Sequence, residues 1–93
     1  MSLMIKDPGS RIDYAFDWNA AYLDGQVLAA SQWTVDPAHA GGVVVDAHAF
    51  DAVRTSATLS GGVEGTAYRV TNRVTLSDGQ IDERSLVLRA EQR

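Results

Sequence analysis

The chain has 93 residues, of which 45% are hydrophobic, carries a formal net charge of −4 and contains no cysteine. That length makes one domain with one core, and the composition excludes a disordered chain, a disulfide framework, a thiolate metal site and a thiol nucleophile. The acidic balance excludes the basic stripe that a phosphate backbone requires, and no apolar run approaches the roughly 18 residues of a membrane span, so neither nucleic acid nor a membrane is an expected partner.

Met1-Ser2-Leu3 stand ahead of a second methionine. We read residues 1–3 as a leader added in cloning and leave them out of the expected fold; no signal peptide is visible. Residues 4–10 form an extended segment broken by the turn signal Asp7-Pro8-Gly9. From Arg11 to Trp18 the pattern alternates: Ile12, Tyr14, Phe16 and Trp18 on one face, Arg11, Asp13, Ala15 and Asp17 on the other. Period-two alternation predicts a strand with the aromatic face inward. Asn19 to Leu23 suits one helical turn capped by Asn19 and closed at Asp24-Gly25, with Tyr22 or Leu23 tucked under the domain edge.

Gln26 to Val35 predicts the next strand, with Val27, Ala29, Ser31, Trp33 and Val35 on one face and Trp33 as its central core residue. Asp36-Pro37 ends it. Val43 to Ala49 is a further strand that fits two registers equally well. Arg54 to Leu59 is another, with Ala57 and Leu59 together. Ser60 to Gly65 is a glycine-rich connection. Thr66 to Leu76 alternates strictly, placing Tyr68, Val70, Asn72, Val74 and Leu76 on one face; Asp78-Gly79 supplies a hairpin turn, and Ile81 to Ala90 returns with Leu86 and Leu88 inward. Residues 91–93 form a frayed tail.

Six or seven short strands with frequent turns predict an all-β, antiparallel sandwich over residues 11–90. Its size is that of an immunoglobulin-like domain, roughly 100 residues. The predicted core is Tyr14, Phe16, Trp18, Trp33, Leu59, Tyr68, Val70, Val74, Leu86 and Leu88. Tyr68, early in the penultimate strand, suits a tyrosine corner, its hydroxyl bonding back to nearby backbone.

Chemistry-bearing constellations are sparse. Gly61-Gly62-Val63-Glu64-Gly65 lacks the Lys and Ser/Thr of a phosphate loop and precedes no helix, so its glycines read as turn formers. Asp46 and His48 share one strand face, with His39 and Asp51 near in sequence, but zinc asks for three or four convergent ligands. No nucleophile elbow accompanies the serines and histidines. Neither a catalytic nor a cofactor site is expected. Asp82-Glu83-Arg84 opens the last strand. On the alternation set by Leu86 and Leu88, Asp82 and Arg84 face inward, as an ion pair or sheet-end network; the other reading is an interface with a neighbouring subunit, and a bulge near Ile81 would expose the run.

The order of these features resembles a known family. An aromatic first strand ends at Trp18; Trp33-Thr34-Val35 follows; then come Leu59-Ser60-Gly61-Gly62, Gly65-Thr66, Tyr68, Val70-Thr71-Asn72, a Ser77-Asp78-Gly79 turn and Asp82-Glu83-Arg84-Ser85. The pattern is similar to small bacteriophage and prophage proteins of the fibre-to-tail, or tail, adaptor type, with the sharpest likeness between Leu59 and Leu88. The resemblance implies an immunoglobulin-like sandwich and a non-enzymatic virion structural protein, assembled in the bacterial cytoplasm, that docks other tail or head-tail proteins without a cofactor. A homo-oligomer is compatible with the rotational symmetry of such assemblies. The alternative is a stand-alone carbohydrate- or protein-binding sandwich outside a virion.

Overall fold

A computed structural model describes residues 2–92. Seven strands and one helical turn follow in the order β1 (Ser2–Lys6), β2 (Ile12–Asp17), α1 (Ala20–Leu23), β3 (Leu28–Asp36), β4 (Val44–Phe50), β5 (Arg54–Ser60), β6 (Ala67–Leu76) and β7 (Ile81–Ala90). They build two sheets, β1-β7-β6-β3 and β2-β5-β4, which face each other as a sandwich. Every pairing is antiparallel except β1 with β7, which is parallel. Ser2 and Leu3 take part in that strand, opposite Leu86 and Val87. Met1 and Arg93, the outermost residues of the expected leader and tail, lie outside the described residues.

β6 and β7 form the spine. Their ladder runs without a register shift from Ala67↔Arg89 to Thr75↔Ile81, so the alternation of β6 is kept along its whole length: Tyr68, Val70, Asn72, Val74 and Leu76 are all buried. The turn between them is a three-residue loop in which Gly79 takes φ +91°. A left-handed residue at that position is what three-residue hairpins use to restore the pairing.

The apolar interior has two parts. One gathers Val43, Ala57, Leu59, Tyr68, Val70, Leu86, Leu88 and Ala90, with Ile12, Tyr14, Phe16 and Trp33 packed against it. The other gathers Trp18, Leu23, Leu28, Val74 and Leu76, with Phe16 and Val53 against it. Of the predicted core, Trp18, Leu59, Tyr68, Val70, Val74, Leu86 and Leu88 are buried, whereas Tyr14, Phe16 and Trp33 are half-buried. The reason is topological: β2 and β3 are edge strands, covered on one side only. Trp18, rather than Trp33, therefore holds the deep position, at 0% exposure. Trp33 stacks on Phe16 with centroids 5.7 Å apart, and its Nε1 is buried without a partner among the described residues.

Between the two apolar parts lies a polar crossbar. Trp18 Nε1–H is shared between Thr55 Oγ1 and Asn72 Oδ1, each at 3.2 Å. The Thr55 hydroxyl donates to Asn72 Oδ1 at 2.6 Å, and Asn72 Nδ2 donates to Ser31 Oγ at 2.9 Å and the Gln32 carbonyl at 3.0 Å. Asn72 thereby uses both ends of its amide while fully buried, which removes the desolvation cost of the group. The crossbar ties β5 to β6 across the sandwich and fixes Trp18 between them.

Two bulges correct the face assignments. The β3–β6 register shifts between Leu28 and Ala30, so Leu28 turns inward at 5% exposure while Val27 stands 44% exposed. Val27 and Ala29 are therefore not on the core face, because the extra residue reverses the alternation upstream of Ser31. The β4–β5 register shifts between Val45 and Ala47, which is why residues 43–50 fit two registers: Val43 and Val45 point inward, and the rest of β4 is exposed apart from its backbone pairing. Among the α1 residues, Leu23 is buried and Tyr22 is 54% exposed.

Candidate interaction surfaces

The Asp82-Glu83-Arg84 run sits where the inner face of β7 opens at the α1 end of the sandwich. Asp82 lies opposite Val74 and Arg84 opposite Asn72, so both share the inward side with Leu86 and Leu88. The two do not pair with each other. The Arg84 guanidinium lies over the Trp18 ring, 4.4 Å from its centroid, and 5.7 Å from that of Tyr22. Its Nη1 donates to the Asp17 carbonyl at 2.9 Å. Arg84 thus closes the lower core as a half-buried lid, its charge met by two aromatic faces and a carbonyl. Asp82 accepts a hydrogen bond from the Tyr22 hydroxyl. That bond, and the carboxylate's charge, push the Tyr22 phenol above its ordinary 10.0. Glu83 is exposed on the outer face. Asp82 and Arg84 thus bond to side chains and backbone at the sheet end, and no pairing signal in the sequence assigns Arg84 to Trp18 or Asp82 to Tyr22, partners 60 or more residues away.

At the opposite end the loops interlock around Tyr68. Its hydroxyl accepts the Val63 N–H at 2.9 Å and lies 3.1 Å from His39 Nε2, and the two rings stack at 16°. Gly61, at φ +77°, passes so close to the next loop that a Cβ there would stand 2.4 Å from the Gly42 carbonyl oxygen. Beneath these loops Lys6 is 1% exposed. Its ammonium donates to the carbonyls of Asp7, Ser10 and Gly61 at 2.9, 2.5 and 2.8 Å. Burial lowers its pKa, against the opposing charges of Asp7 and Asp46. Lys6 therefore works as a buried tie between the N-terminal turn and the glycine loop.

The structure disperses the residues considered as metal ligands. His39 is engaged with Tyr68, Asp46 pairs with Arg11 at 3.3 Å, and His48 stands exposed on β4. Asp51 accepts the Val53 and Arg54 amides at 2.9 and 2.8 Å, which holds its carboxyl below the ordinary 3.8. Among the described residues no group of three or more His, Asp or Glu is placed to hold a metal ion, and no helix is long and apolar enough to cross a membrane.

What the molecule offers partners is therefore edges, faces and loop ends. Four strands are edges: β1 and β3 of one sheet, β2 and β4 of the other. β3 and β4 are interrupted by bulges, which blunt strand addition. β1 and β2 pair in unbroken register, and the other edge of each is unpaired among the described residues. A search of curated proteins finds no match. The family described as podophage GP4 fiber-tail adaptor protein gp77 matches residues 6–89, which takes in β2 to β6 and all of β7 but Ala90.

Proposed function

The chain belongs to the podophage fiber-tail adaptor family, and from that premise we propose that it serves the virion by contact alone, holding tail proteins together without performing a reaction. The observation that carries the reading is the family match across nearly the whole sandwich. The chemistry described above supports it: three of the buried or half-buried polar side chains are spent on internal bonds, Asn72 on the crossbar, Lys6 on three carbonyls and Arg84 on Trp18. The edges of β1 and β2, whose pairing carries no bulge, suit strand addition by a partner. A homo-oligomeric state and assembly in the host cytoplasm belong to the same reading. The stand-alone binding module, the alternative drawn from the sequence, gains no support from the family.

We also read the sandwich as immunoglobulin-like. In support, β2-β5-β4 facing β3-β6-β7 follows the B-E-D and C-F-G order of such domains, and the bond from Val63 N–H to Tyr68 has the form of their tyrosine corner.

The test is reconstitution. The purified chain is mixed with the fibre and tail proteins of the phage or prophage that encodes it, singly and together, and followed by sedimentation velocity. The reading expects the chain to sediment with at least one of them and to bridge two that do not otherwise associate. Binding to none would overturn it. Sedimentation of the chain alone reports its own oligomeric state.

A further inference from the structure

At the α1 end a groove of about 280 Å³ runs between α1 and the β6–β7 turn. Leu23 and Leu76, 2% and 6% exposed, lie beneath it. Its walls carry Tyr22, Asp24, Gln26, Asp78 and Gln80. We propose that this groove receives an arginine side chain of a partner protein.

Size, shape and charge all suit that occupant. The volume lies just below the roughly 300–1,000 Å³ of small-molecule pockets, and fits a single long side chain. Asp24 and Asp78 come from separate elements, and no cation of the chain stands within ion-pair distance of either among the described residues. The Tyr22 ring, 54% exposed, supplies a flat wall. The Gln80 amide adds an acceptor oxygen, and Gln26 Oε1, which already accepts the Ser77 hydroxyl at 2.5 Å, keeps a second lone pair. A planar guanidinium stacks on an aromatic ring and carries five donors in a fixed fork, whereas an ammonium is a compact, strongly hydrated point charge. A carboxylate or phosphate ligand would meet two uncompensated anions. The molecule already uses the same arrangement internally, since Arg84 lies over Trp18 and near Tyr22 while donating to a carbonyl oxygen. That the partner is another tail protein rests on the adaptor reading; the chemistry of the groove does not.

N-acetyl-arginine amide is titrated into the isotope-labelled protein, with the lysine and citrulline analogues in parallel, and backbone amide shifts are followed. The proposal expects saturable shifts at Leu23, Asp24, Gln26, Asp78 and Gln80, affinity for the lysine analogue lower by roughly threefold or more, and no saturable shifts with citrulline, which lacks the charge. The double variant D24N/D78N should lose about tenfold in affinity. Asn tolerates the φ of +50° at Asp24 and retains the oxygen that accepts Gln80 N–H from Asp78, so the spectrum outside the groove should stay unchanged. Shifts spread equally over distant aspartates such as Asp13 and Asp36, tighter binding of lysine, or no effect of the double variant would overturn the proposal. If the double variant still forms complexes with the fibre and tail proteins as the unaltered chain does, the groove is not the docking site and the adaptor reading survives alone.

Discussion

Replacing Asn72 with leucine tests whether the polar crossbar is structural. The two side chains are similar in size, so the change is mainly one of hydrogen bonding. Asn72 accepts from Trp18 and Thr55 and donates to Ser31 and Gln32. Trp18 Nε1 retains Thr55 Oγ1 as acceptor, but the Thr55 hydroxyl, at 0% exposure, is left with its proton unpaired, at about 1–3 kcal/mol. Each lost bond from Nδ2 costs about 0.5–1.5 kcal/mol; both acceptors belong to the edge strand β3, where water can replace the donor. The buried leucine returns part of this, since an apolar side chain of that size gains about 1.5–3 kcal/mol on leaving water. The net expectation is a destabilisation of about 2 kcal/mol. For a domain of this size that lowers the melting midpoint by about 8–16 °C. Thr55→Val, which removes one donor and keeps the Trp18–Asn72 bond, should cost about 1 kcal/mol. Urea unfolding followed by Trp fluorescence measures both. If Asn72→Leu were as stable as the unaltered chain, or Thr55→Val were the more damaging, the crossbar would not be holding the two sheets.

Three further expectations follow from single contacts. Arg84→Ala uncovers the Trp18 ring; it should cost about 1–2 kcal/mol and change the near-ultraviolet circular dichroism of Trp18, and an unchanged spectrum would mean that Arg84 does not cap the core. Gly61→Ala places a methyl group against the Gly42 carbonyl at a positive φ; a loss of about 1–3 kcal/mol is expected, against no change for alanine at Gly65, where the space is open but φ is also positive, beyond the smaller cost of that conformation alone. The Asp51 carboxyl is depressed below 3.8 by the Val53 and Arg54 amides, so its contribution is present above that value and is lost as pH falls through the lower folded value. Asp51→Asn, which keeps an acceptor oxygen but cannot titrate, should flatten the acid limb of the urea midpoint; an unaltered limb would refute the assignment.

The parts of the fold that were legible in the sequence are those where one face is wholly buried. In β6 each inward position meets the opposite sheet, so Tyr68, Val70, Val74 and Leu76 declare themselves by alternation, and the turn at Gly79 sets the register of β7. Alternation fails where a bulge inserts a residue. Nothing local distinguishes Leu28 from Val27, or reveals the shift after Val45, because the bulge is fixed by the partner strand. Trp33 carries the sequence signature of a buried tryptophan, but strand order makes β3 an edge, and order is a property of long-range pairing. The pairing of Ser2–Lys6 with β7 is equally non-local.

The surfaces were less legible than the core. Alternation places Asp82 and Arg84 inward but does not say what they meet, since Tyr22 and Trp18 arrive from a segment remote in sequence. The role of Lys6 is hidden for the same reason: a lysine is ordinarily solvated, and only three carbonyls brought together by the fold make its burial tolerable. The groove beside Tyr22 exists because Leu23 and Leu76, far apart in the chain, pack into one floor.

A fiber-tail adaptor joins fibre to tail. Electron microscopy of particles from a phage or prophage carrying a stop codon early in this gene, with and without the intact gene supplied in trans, tests it most directly. The account predicts particles that package DNA and build a tail but lack fibres, with fibres restored by the intact gene. Fully fibred, infectious particles made without the protein would contradict it.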